Sequence, residues 1–139
     1  MRDNHWLKER LEYIWRTYYS DIILGNTVYV RFGRNAKTRL GSIKYGRKKF
    51  SDGSKNTYIS ISGIFRDENI PDFIIDTVLA HELSHYAHGF FSPHNQLYSH
   101  PHKNKIVANE LTKRGLGSIL KSQKKWLKEN WKDIINKYE

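Results

Sequence analysis

Cysteine is absent from the 139 residues, proline occurs three times and methionine once. Without cysteine there is neither a disulfide framework nor a cysteine-based zinc ribbon, so any zinc must be held by histidine or carboxylate. The same absence leaves the redox compartment open. No apolar run could span a bilayer, and no apolar segment follows a basic start, so the expectation is a soluble, cytoplasmic protein with no membrane partner. Repeats, linkers and low-complexity stretches are also missing, and the length suits one domain, so we expect a single domain over 1–139. Acid is missing locally: Arg31 to Phe50 holds eight Lys or Arg and no Asp or Glu.

What is present is basic and aromatic. The net charge is +10, and Lys103–Glu139 carries ten Lys or Arg against four acids. Such blocks point to an anionic partner, nucleic acid first, the plainer account being solubility. The cations expected to meet phosphate are Arg31, Arg34, Lys37, Arg39, Arg47, Lys48 and Lys49, with Tyr29, Tyr45 and Phe50 interleaved where they could stack on unpaired bases. Aromatics make up 14% of the chain, which supplies a core although hydrophobic residues are only 38%.

Helical spacing of Leu7, Leu11, Ile14, Trp15 and Tyr18 predicts a first helix capped at Asn4 and finished before Gly25. Alternation predicts strands at 27–32, 40–45 and 58–64, the last two separated by Gly46 and the polar turn Ser51-Asp52-Gly53-Ser54. Pro71 opens a second helix with an apolar face from Ile74 to Ala87, and Gly89 stops it. A third helix is expected from about Pro101 to Arg114, and a basic C-terminal helix over about 118–138. This order predicts an α+β fold, a small antiparallel three-stranded sheet packed with helices.

The second helix carries His81-Glu82-Leu83-Ser84-His85. Histidines four apart project from one helix face, as two corners of a tetrahedral zinc site require, and Glu82 is placed to take a proton from a metal-bound water. The plainer alternative is a pair of surface histidines, but two histidines and a glutamate have little structural reason to interrupt an apolar helix. A catalytic site needs a third protein ligand. His88 is rotated away from His81 and suits the helix end; His94, His100 and His102 remain, and composition and spacing do not choose among them.

In order, Leu11-Glu12-Tyr13-Ile14-Trp15, Val28-Tyr29-Val30-Arg31-Phe32, Thr38-Arg39-Leu40-Gly41-Ser42-Ile43, Tyr58-Ile59-Ser60-Ile61-Ser62 and the run Ile70–Ala80 leading into the histidine motif resemble the SprT-like zinc metallopeptidases, the group that includes Spartan. The resemblance covers about residues 7–115. It implies a zincin-type, minimal gluzincin-like active-site helix, one Zn2+ per chain, Glu82 as the catalytic residue and hydrolysis of peptide bonds in DNA-associated or DNA-crosslinked proteins. In that family the third histidine often follows Pro or Gly and opens a helix with an apolar residue four positions on. Pro101-His102-Lys103-Asn104-Lys105-Ile106 fits this pattern, so the implied ligands are His81, His85 and His102, followed in preference by His100 and His94; Lys103 stands where the family commonly has Gly. The resemblance thus implies a protein substrate attached to DNA; the interleaved Tyr29, Tyr45 and Phe50 add an expected preference for single strands, and the chain is expected to be a monomer. Tyr98 and Arg39 are the guesses for stabilising an oxyanion. Two rivals stand beside this reading: a basic nucleic-acid-binding module with a non-catalytic zinc site, and a regulatory protease with one dedicated protein substrate and no DNA role.

Overall fold

Asp3 begins the first helix: its carboxylate accepts the Trp6 backbone N–H at 2.8 Å, and α1 runs Asn4–Tyr18. Asn4, expected as the cap, is the first helical residue, and its side-chain oxygen accepts the Phe32 N–H instead, tying α1 to the first strand. The structure, a computed structural model, describes residues 1–138. Leu7, Leu11 and Ile14 form the buried stripe of α1; each contributes about 1.5–3 kcal/mol by leaving water.

Three strands follow: β1 (Val28–Phe32), β2 (Gly41–Lys49) and β3 (Lys55–Ile61). The sheet is mixed rather than antiparallel. Its order is β1-β3-β2, with β3 parallel to β1 and antiparallel to β2. Alternation assigns a strand's two faces but not its neighbours. β3 takes the centre because it offers the most complete inner face, with Thr57, Ile59 and Ile61 buried. β2 runs on through Gly46 to Lys49, with an irregular register between Tyr45 and Lys49.

A 3-10 turn, Gly63–Arg66, leads to α2 (Asp72–Ala87), with Pro71 as its N-cap and His88 as its C-cap. α2 is buried nearly all round, by α1, α3, α4, β2 and β3. Arg10 holds it to α1 through a two-pronged pair with Asp76, Nε to Oδ1 at 2.9 Å and Nη2 to Oδ2 at 2.5 Å. The expected third helix starts late: a 3-10 turn over Lys103–Lys105 precedes α3 (Ile106–Lys113), because Asn104 (φ 50°) and Lys105 (φ 58°) leave helical geometry. Gly115, at φ 86°, ends it as expected. α4 (Gly117–Asn136) packs on α2 and α3; Trp131 stacks on Phe65 at 5.3 Å and donates from Nε1 to the Lys37 carbonyl at 2.8 Å. One side of the sheet is buried, with Phe32, Ile43, Ile59 and Ile61 in the core, and the other carries exposed Tyr29, Arg31 and Lys44. Among the described residues no helix is long and apolar enough to cross a membrane.

Candidate metal centre

His81 and His85 lie one turn apart on α2, and their ring centroids are 4.7 Å apart. His102 reaches them from the turn before α3, its ring 5.5 Å from His81 and 4.8 Å from His85. One ring nitrogen from each of the three falls within 4.8 Å of the others. The His81 and His102 Nε2 atoms are 3.3 Å apart. Two nitrogens each about 2.05 Å from a tetrahedral zinc stand about 3.3 Å apart, so this spacing suits a shared metal. His85 Nδ1 is buried and has no hydrogen-bond partner among the described residues.

The electrostatics favour neutral rings. Burial, with the neighbouring imidazoles adding to it, pushes His81 down to about 4 and His85 down to about 3. Both therefore keep a lone pair at neutral pH, the form that ligates a metal. Glu82 is 3% exposed, and its carboxylate accepts no hydrogen bond from any described residue. Burial pushes it up to about 8, with the Arg39 charge pulling the other way.

Two clefts meet at these side chains. One, of about 460 Å3, runs between β2 and α4 and is walled by Leu40, Val78, Leu111, Leu120 and Gln123. The other, of about 310 Å3, runs along Gly41–Lys44 toward Phe90 and Phe91. His81, Glu82, His102, Arg39 and Gly41 border both. Gly41 sits close because it has no side chain: a Cβ there would lie 2.7 Å from Val78 Cγ1 and 3.4 Å from Glu82 Cγ.

The other histidines are occupied elsewhere. His94 Nε2 bonds the Ile23 carbonyl at 2.6 Å, and its ring meets Tyr86 edge-on. His100 is exposed and stays outside the cluster. His88, at the end of α2 as expected, is buried and bonds Glu110 Oε1 at 2.8 Å. Burial works against a charged Glu110, but the His88 bond and Arg114 hold its pKa below the usual value. Arg114 continues this network to Asp21 at 2.6 Å. Tyr98 packs against His88 and borders neither cleft, whereas Arg39 borders both.

Of the other basic residues, Arg31 lies over Tyr58, Arg34 lines a separate cleft with Arg39, and Lys37 lends its carbonyl to Trp131. Arg47, Lys48 and Lys49 are exposed at the far end of β2.

Several supports escaped the sequence reading. Ser84, inside the histidine motif, is fully buried and bonds the Tyr19 hydroxyl at 2.7 Å, which also donates to the Ala80 carbonyl at 2.9 Å. Tyr19, whose pKa burial pushes up to about 12, thus locks the ligand-bearing turn of α2 to the end of α1. No spacing signals a contact across 65 residues. The Glu110–Arg114 pair escaped the sequence reading too, although its i, i+4 spacing is a local signal that could have found it.

No protein-family model, curated protein or solved structure matches the chain.

Proposed function

We propose that the protein is a zinc-dependent metalloendopeptidase of the SprT-like kind, with α2 as a zincin-type active-site helix. The observation that carries this reading is the convergence of His102 on His81 and His85 beside a buried, unbonded Glu82. Three histidines are the protein share of a catalytic zinc site, which keeps its fourth position open. Zinc in such a site polarises a carbonyl and makes water a nucleophile near neutral pH.

The chain's own residues supply the rest. Glu82 takes the attacking water's proton and passes it to the leaving amine. Burial raises its affinity for that proton, and the charge of a bound zinc would hold it ionised until the water arrives. A purely structural site has no need of this carboxylate, which favours the peptidase over a binding module with structural zinc. β2 is an edge strand bordering the site, so an extended substrate can add to it and lie across Glu82. Arg39, at the junction of the two clefts, is the cation nearest in role to an oxyanion stabiliser. The acid-free basic segment adds a nucleic-acid partner and so a preference for DNA-associated protein substrates.

Incubating the zinc-loaded protein with an unfolded protein substrate tests the activity. Cleavage is expected for the parent, abolished by a chelator, and reduced about a hundredfold or more in Glu82→Gln. A Gln variant cleaving at the parental rate removes Glu82 from the mechanism, and a parent that cleaves nothing removes the peptidase reading.

A further inference from the structure

Among the described residues, the side of the sheet opposite its buried residues exposes Tyr29, Arg31 and Lys44. By strand register, that face carries Arg31 opposite Ser60 and Ser42, and Tyr29 opposite Tyr58 and Lys44. Tyr29 and Tyr58 are stacked, centroids 5.1 Å apart and planes 21° apart. The Arg31 guanidinium sits 4.8 Å above the Tyr58 ring. Gly46 makes room for this arrangement, since a Cβ there would stand 2.6 Å from Tyr58 Cε2. Tyr29 remains 47% exposed, so an aromatic surface faces solvent beside a cation. Tyr45 and Phe50 do not join it: Tyr45 pairs with inward-facing Thr57 and donates its hydroxyl to the Ser92 carbonyl at 2.8 Å, and Phe50 follows the far end of β2.

Next to the stacked pair, on the same face, lies a cleft of about 330 Å3. Arg34, Arg39 and Lys44 supply three positive charges to it, Ser42 and Ser60 supply hydroxyls, and no acid lines it. None of these cations forms an ion pair with a described residue, and neither hydroxyl has a hydrogen-bond partner there. Three uncompensated cations in one cleft repel each other and destabilise the fold slightly. Charge kept only for solubility would be interspersed with acids. The single acid between Asn26 and Ile61, Asp52, bonds Ser54 in the hairpin turn.

We propose that this open face binds single-stranded nucleic acid, phosphates entering the Arg34–Arg39–Lys44 cleft and a base stacking on Tyr29. A positive groove beside exposed aromatic rings is the combination by which proteins hold unpaired strands, because every base offers a π-face and every phosphate a charge. A duplex hides its base faces and gains only the ionic contacts. Arg39 also borders the two clefts at the metal centre, so the strand passes beside the edge of β2 where a protein substrate is cleaved. The inference rests on the nucleic-acid half of the function proposed above and is independent of its metal half.

The test uses fluorescently labelled oligo-dT and oligo-U of about twelve nucleotides, and a duplex of equal length, with anisotropy read across a salt series on zinc-free and zinc-loaded protein. Both single strands are expected to bind more tightly than the duplex, with or without zinc. Tyr29→Ala should weaken binding roughly tenfold at unchanged salt slope, as a lost stacking contact does, and Tyr29→Phe should restore it. Arg34→Ala should weaken binding and flatten the slope by about 0.7, one single-strand phosphate contact. The Lys124→Ala, Lys125→Ala double variant on α4 should bind like the parent. Binding that survives Tyr29→Ala and Arg34→Ala but fails in the α4 variant overturns the inference and moves the site to the C-terminal helix. Equal affinity for duplex and single strand, indifferent to Tyr29, also overturns it. A parent that binds no oligonucleotide at low salt ends both this inference and the nucleic-acid half of the proposed function, while the metal centre stands or falls on its own test.

Discussion

Glu82 is the residue at which folding and the proposed function pull apart. Its carboxyl is pushed by burial from an ordinary 4.5 up to about 8. The unfolded chain therefore ionises this group from 4.5 upward, while the folded, metal-free chain holds the proton until about 8. Its contribution to stability is full below 4.5 and is lost as pH rises through 8. Glutamine fills the same space and does not titrate. Metal-free Glu82→Gln should thus be more stable than the parent at pH 8, by something on the order of 1–3 kcal/mol, and the difference should shrink toward pH 4.5. Urea unfolding at the two pH values measures this; His81 and His85 titrate in both proteins and cancel. A parent as stable as the variant at pH 8 would show that Glu82 is not destabilised by its burial. His81, Glu82 and His85 were legible because a helix of 3.6 residues per turn fixes what i and i+4 share. His102 was not legible from spacing. Its approach depends on the turn at Asn104 and Lys105, whose positive φ values no local pattern announced. His94, which composition and spacing do not separate from His102, is taken by the Ile23 carbonyl, a contact across 71 residues.

At the scale of elements, the site depends on how closely β2 lies against α2. Gly41 sets that distance, so Gly41→Ala should press on Val78 and Glu82. Overpacking of this kind costs about 1–3 kcal/mol, and a displaced Glu82 should lower cleavage while the histidines keep their metal. Thermal unfolding, zinc content and turnover measured on one preparation separate these effects; an Ala variant with parental turnover would show that β2 does not hold Glu82 in place. The sequence reading found four helices and three strands, since period and turn chemistry are local signals, but it placed the third strand at 58–64 where β3 is Lys55–Ile61 and a 3-10 turn takes Gly63–Arg66. It put the sheet together wrongly because pairing is not local. β1 and β2 are consecutive, yet β3 lies between them and runs parallel to β1. The ends of helices moved where a side chain served a distant partner, as Asn4 does in bonding Phe32 rather than capping α1.

Across the whole molecule, the candidate metal centre lies where α2, the edge of β2, the turn before α3 and the C-terminal helix converge. The sequence predicts the C-terminal helix as a basic helix with an apolar stripe that includes Leu120, and α4 turns Leu120 inward to the wall of one cleft. The buried Gln123, outside that stripe, joins the same wall, and its Nε2 donates to the Ile74 carbonyl at 3.4 Å. The lysines of α4 face outward while its inner side shapes the space beside Glu82. The exposed sheet face adds a second, strongly positive surface that shares Arg39 with the metal clefts, so two surfaces of different chemistry meet at one residue. All of this depends on three histidines from two segments holding one ion. Zinc per chain, measured by elemental analysis on the intact protein and on His94→Ala, His100→Ala and His102→Ala, tests that claim most directly. The expected result is one zinc in the parent, in His94→Ala and in His100→Ala, and little or none in His102→Ala; full zinc in His102→Ala, with loss in either of the others, would contradict it.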